Sequence, residues 1–232
     1  LTYFGDSVDE NTLMKTPQLH LRFHLERVME STFSGRGKWE NVYMYKILMS
    51  LIRKRPRDLV KLCSLAAQQA QQTNSPLIKT EHFQAIFEEY SQGRIQDTIN
   101  EYKSELPNIE NLLFGMRPTK KQRNASDGYI YTTAELIQKL NNIRQHTNFI
   151  FKNGRKASAN ELAQFLYKIN FLTARKIVES GEIQRKYFEE NRYISSSFVD
   201  FGYDWEVHPA FRWVLQPENI NEIFNKLALS HD

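Results

Sequence analysis

Residues 53–70 read RKRPRDLVKLCSLAAQQA, and they set the reading of this chain because they close one helix and open another at a fixed point. Pro56 suits the first position of a helix, where its missing N–H leaves no intrahelical bond unmade, and Asp58 suits the positive end of the helix dipole. Leu59, Leu62, Cys63, Ala66, Ala67 and Ala70 then recur at helical spacing. Upstream, Met44, Ile47, Leu48, Leu51 and Ile52 do the same, so one helix over about 39–53 ends ahead of Pro56 and the next covers about 57–72. Arg57 gains nothing from that end of a helix dipole. Its place there asks for a local carboxylate or a bound anion.

Working outward, Asn74, Ser75 and Pro76 break the pattern, and Thr80 is a candidate N-cap for a helix with Phe83, Ile86, Phe87 and Tyr90 on one face. Ile95, Ile99 and Tyr102 continue that stripe. Pro107 restarts it, and Ile109, Leu112 and Leu113 supply a short helix before Gly115 and Pro118. Apolar stripes of this kind bury against one another, so residues 39–116 are expected to form a helical bundle. In the segment 1–38, Leu19, Leu21, Phe23 and Leu25 alternate as in a strand, while Leu21, Leu25, Val28 and Met29 fit a helix. The helical pattern extends further.

Residues 117–130 are polar, basic and without period, and read as a linker carrying Lys120, Lys121 and Arg123. Thr132 with Glu135, and Ser158 with Glu161, have capping-box spacing ahead of apolar helical stripes. Strand formers follow at 171–178 and 196–207, with a charged stretch at 179–193 suited to a hairpin or a short helical insertion. Pro209 then opens a short helix with Phe211, Trp213, Val214 and Leu215, and a last helix is expected at 218–229. Helices followed by a small hairpin form a winged-helix pattern. The predicted fold is therefore mainly α: a helical bundle followed by a winged-helix-like α+β domain over 131–232.

With 41% apolar and 12% aromatic residues, the 232-residue chain can build a core. It has no apolar run of membrane-spanning length and no basic-then-apolar signal at its start. Cys63 is its only cysteine, which rules out an internal disulfide and suits a cytoplasmic protein. The formal charge of +4 is uneven: Lys and Arg number 18 against 14 Asp and Glu over 1–123, and 13 against 13 thereafter. That excess permits contact with phosphate without requiring it.

The words RKRPRDLVKLC, IKTEHFQAIFEEYS and PNIENLL within 53–114, then ELAQFLYKINFL at 161–172 and VHPAFRWVL at 207–215, resemble in their order the helical region following the nucleotide-binding core of bacterial RPRD-motif P-loop ATPases of the STAND and KAP types. The resemblance implies a lid and relay portion of a nucleotide-dependent switch, used in signalling or antiviral defence, with ATP and Mg²⁺ in the full-length protein. It also implies partners: a missing amino-terminal ATPase core, other subunits or self-association. No Gly-x-x-x-x-Gly-Lys-Ser/Thr loop occurs in the chain, so it is expected to be the carboxy-terminal part of such a protein and not to hydrolyse ATP alone. Arg57 is then the candidate phosphate sensor, with Asp58 capping its helix or supporting it.

Two other classes stay open. A DNA-binding winged-helix regulator would use Arg53, Lys54, Arg55, Lys120, Lys121, Arg123, Arg155, Lys156, Arg175 and Lys176, although the helix at 159–169 offers only Lys168 as a cation and carries Glu161. An adaptor would use Trp205, Phe211 and Trp213 either as core or as an exposed patch. His20 and His24 are read as ordinary helix-surface residues, and His208 as a hydrogen-bonded structural residue that helps fix the last helix. Asp97, Glu101 and Glu105 read as a solvated helix face, and Asp200, Asp204 and Glu206 as a solvated rim.

Overall fold

The computed structural model describes residues 15, 18–52, 55–119, 128–179, 183–192, 202–216 and 223. The chain is mainly helical and ends in a small antiparallel sheet flanked by helices, as its patterning predicts. Helix α1 covers Gln18–Leu25, and the chain then extends, so that Met29 bridges to Ile78 and Thr32 to Tyr43. The helical reading of that segment holds, and the alternation of Leu19, Leu21, Phe23 and Leu25 is corrected: all four lie within α1 and form no strand. A single 3-10 turn at Gly37–Trp39 buries the indole, and α2 runs from Met44 to Leu51. It starts later than expected because Asn41, at φ 61°, donates to the Phe33 carbonyl and Phe33 donates to Val42, which holds residues 41–43 out of the helix.

Helix α3 spans Pro56–Gln72 and α4 spans Thr80–Tyr102. The two lie antiparallel: Thr73 meets His82 at one end of the pair (2.9 Å), and Arg55 meets Glu101 at the other (3.0 Å). Asn74 ends α3 at φ 54°, with its N–H on the Gln71 carbonyl and the next N–H on that of Ala70, the paired bonds of a left-handed helix stop. The expected N-cap role of Thr80 is corrected. Lys79 is the cap residue, and its N–H donates to Nδ1 of His82 (2.8 Å), while the buried Thr80 donates its N–H and its hydroxyl to Glu30. Helix α5, Ile109–Gly115, completes this half.

Strand β1 is Ile130–Tyr131, and α6 (Thr133–His146) and α7 (Ala159–Lys168) follow. Both helices start in the capping boxes read from the sequence, Thr132 with Glu135 and Ser158 with Glu161. Asn170, at φ 55°, stops α7 as Asn74 stops α3. Strands β2 (Leu172–Ile177), β3 (Ile183–Lys186) and β4 (Asp204–Val207) give an antiparallel sheet in the order β1-β4-β2-β3. The charged stretch is therefore a hairpin arm, paired with β2 from Ala174–Lys186 to Ile177–Ile183. A 3-10 turn at Pro209–Phe211 leads into α8, Arg212–Leu215. Most of the helix expected at 218–229 lies outside the described residues.

Two cores result, and α4 belongs to both. Its first half, through Tyr90, packs with α2, α3, Phe33 and Trp39, whereas Ile95 and Ile99 pack with α5, α6, α7 and the sheet. The terminal segment also divides. Phe211 and Leu215 enter the second core, while Ala210 and Trp213 enter the first. Trp205, Phe211 and Trp213 are thus interior residues and form no exposed patch.

Candidate functional site

The RPRD corner at 55–58 is built by the start of α3. Arg55 takes an extended conformation (φ −109°, ψ 119°), as a residue before proline must, and Pro56 begins the helix. Asp58 on the first turn is fully buried and forms an ion pair with Arg94 of α4, which also reaches Asp97. On the outer side, Arg55 Nη1 and Arg57 Nη2 both donate to one oxygen of Glu101, at 3.0 and 3.2 Å. Partial burial favours the neutral Glu101, but the hydrogen bond from Arg55 and the charges of Arg55 and Arg57 more than offset this and hold the carboxyl below its usual range. Arg57 stays 59% exposed, and its Nε is 3.8 Å from Asp58. The local carboxylate that its position asked for is therefore present. Asp58 itself serves the Arg94 pair first.

Asp97, Glu101 and Glu105 are not merely a solvated face. Each accepts a cation: Arg94 from its own helix, Arg55 and Arg57 from α3, and Lys168 from α7 (2.7 Å). The rim expected at Asp200, Asp204 and Glu206 is corrected at Glu206, which is 1% exposed. It accepts from Arg185 Nε (2.6 Å) and Nη2 (3.0 Å) and from Arg212 Nη2 (2.5 Å), tying β3, β4 and α8 together. Asp200 lies outside the described residues.

Apart from Arg55, which is held by Glu101, the candidate phosphate-contacting cations fall into three groups. Arg53, Lys54, Lys120, Lys121 and Arg123 lie outside the described residues. Arg175 is turned inward, its Nε 3.9 Å from Glu206, while its neighbour Lys176 is exposed. Arg155 and Lys156 are exposed on the turn before α7, and Lys152, which sequence reasoning passed over, joins them. That turn is a tight hairpin. Phe151 donates its N–H to Arg155, Ile150 bridges Lys156, and Gly154 takes φ +79°, where a side chain would be strained. Arg155 also reaches Glu161 at 2.7 Å while remaining 70% exposed. Along α7 the positions that reach solvent are Asn160, Glu161, Gln164 and Lys168.

Beside this face lies an open cleft of about 430 Å³. Its walls include Phe151, Lys152, Gln164, Lys168 and Phe188, with Glu105 from the turn after α4. No group of three or more His, Cys, Asp or Glu among the described residues is placed to hold a metal ion. His208 is buried, with its Nδ1 accepting from the Ala210 N–H at the start of the terminal turn. No helix among the described residues is long and apolar enough to cross a membrane.

Residues 19–99 match the FunZ-associated C-terminal helical domain. The match takes in α1 to α3 and most of α4, about a third of the chain, and leaves the winged module outside it. No curated protein and no solved structure matches the chain.

Proposed function

We propose that this chain is a nucleic-acid-binding regulatory module of winged-helix type, acting by contact and not by catalysis. The observation that supports it is the turn before α7, which presents Lys152, Arg155 and Lys156 to solvent next to a helix whose outer positions include Asn160, Gln164 and Lys168. Exposed Lys and Arg take phosphate oxygens, and Asn, Gln and Lys are residue types suited to base edges. Lys176 at the end of β2 adds a further cation. Glu161 and Glu105 reduce the net field there, which favours modest affinity. Titration of the purified 232-residue chain into labelled single-stranded and duplex DNA tests the proposal. Binding must be measurable at low salt and fall as salt rises. No binding to either DNA at 50 mM salt rejects it.

A second proposal keeps the resemblance to RPRD-motif ATPases, and the exposure of Arg57 favours it. In that role the α3 corner is a lid, and Arg57 turns its guanidinium from Glu101 to a phosphate of a nucleotide held by a core outside these residues. An exposed ion pair is worth only about 0–1 kcal/mol, so the exchange is inexpensive. ATP and Mg²⁺ would supply the phosphate and its charge neutralisation. This chain's own part is one fork donor, held in register by the buried Asp58–Arg94 pair.

A further inference from the structure

The cleft beside α7 carries more than phosphate contact. We infer that it accepts an unstacked base, so that this face of the winged module prefers single-stranded nucleic acid to duplex. The inference rests on the nucleic-acid proposal above and adds the class of strand.

A helix that reads a major groove must present its outer side chains clear of the surrounding surface. Here Glu161, Gln164 and Lys168 line a concave space instead. The turn after α4 is fixed against that face: Lys168 Nζ bonds both oxygens of Glu105 (2.7 and 3.0 Å), and the Lys152 N–H donates to the Glu105 carbonyl (2.9 Å). An open space of about 430 Å³ bounded in this way is large enough for a planar group and too small for a double helix.

The walls suit a base. Phe151 and Phe188 are both half-buried, so part of each side chain meets solvent. Each is braced by a buried aromatic residue: Phe151 stands edge-on to Phe165 with centroids 5.7 Å apart, and Phe188 stands edge-on to Tyr167 at 5.9 Å. Rings held in this way are stacking platforms, and every base has a face to stack. Gln164 offers an amide with both donor and acceptor, which can meet a Watson–Crick edge, and Asn153, whose oxygen accepts the Arg155 N–H, adds its amide donors. Lys152 and Lys168 stand in the same walls for the adjoining phosphates, and the Arg192 guanidinium lies 5.9 Å from the Phe188 ring centre. The Lys168–Glu105 pair is exposed, so an incoming phosphate can draw Lys168 away at little cost.

Fluorescence anisotropy with the whole chain tests this, using a labelled mixed-sequence strand of about 12 nucleotides, its duplex, and a strand of equal length made of abasic sites. An oligonucleotide of that length is comparable to the site sizes of single-strand binding folds. The intact strand should bind at least about tenfold more tightly than the abasic strand, the difference expected for one or two stacked bases, and more tightly than the duplex. Phe188→Leu and, on the half-exposed face, Gln164→Ala should each bring the intact and abasic affinities together, with melting curves recorded to confirm folding. Equal binding of intact, abasic and duplex DNA by the parent chain overturns base capture and leaves phosphate contact standing. Absence of binding to all three overturns both.

Discussion

Trp213 of α8 stacks on Phe87 of α4 with ring centroids 4.7 Å apart, and Trp39 meets both rings edge-on at 5.9 Å. The terminal segment of the winged module is thus planted in the core of the helical bundle, while Phe211, two residues earlier, lies against Phe171 in the other core at 4.8 Å. Trp213→Ala should destabilise the chain by about 3–5 kcal/mol, as for other large aromatic deletions in cores. Urea denaturation followed by circular dichroism checks it. A loss confined to part of the transition would mean that the two cores unfold separately.

The two halves of the RPRD corner should differ sharply. Asp58→Ala leaves the buried Arg94 with only the half-exposed Asp97 as an ionic partner and should cost about 3 kcal/mol, the low end for breaking a buried pair. Glu101→Ala removes only an exposed acceptor and should cost about 0–1 kcal/mol. Chemical denaturation of both variants decides it. Equal losses would contradict the burial difference between the two carboxylates.

Arg57→Ala should leave the denaturation midpoint within experimental error, since the arginine is exposed and Arg55 still holds Glu101. If the lid proposal holds, the same substitution in the full-length ATPase should lower turnover or nucleotide-driven assembly by an amount equivalent to roughly 1.5–3 kcal/mol, the worth of a charged hydrogen bond. Unchanged turnover and nucleotide affinity would remove Arg57 from any nucleotide site.

Burial pushes the Cys63 thiol up to about 11. Its neutral form is the one that the fold favours, so the associated stability is complete below the ordinary thiol range and is lost as pH rises through about 11. At pH 8, iodoacetamide should modify native Cys63 roughly a hundredfold more slowly than the unfolded chain, because the thiolate reacts and its population falls tenfold per unit. Mass spectrometry follows the reaction. Comparable rates in native and unfolded protein would contradict a protected thiol.

Much of the fold was legible because its signals are local. Pro56 before an apolar stripe, Asn74 after one, and the Ser158 and Thr132 capping boxes each fix a helix end through bonds within a few residues. Thr80 misled for a long-range reason: its hydroxyl is taken by Glu30, so His82 serves the cap instead. The candidate site was less legible. Glu101 meets arginines 44 and 46 residues away, and Glu105 meets a lysine 63 away, pairings that no local spacing reveals. Arg175 and Arg185 look like free cations in the sequence, yet both turn inward to Glu206, which lies one strand from Arg175 and two strands from Arg185. The turn carrying Lys152 did have a signal. Asn153-Gly154 is a turn dipeptide, and it places Lys152, Arg155 and Lys156 together at one tip.

The salt dependence of single-stranded DNA binding by the parent chain and by the double variant Lys152→Ala, Lys156→Ala probes the proposed interface most directly. If both lysines contact phosphates, the slope of log K against log salt should shrink by about 1.4 in the variant, roughly 0.7 for each lost contact on a single strand. Parallel slopes and equal affinities for parent and variant would contradict nucleic-acid contact by the turn before α7.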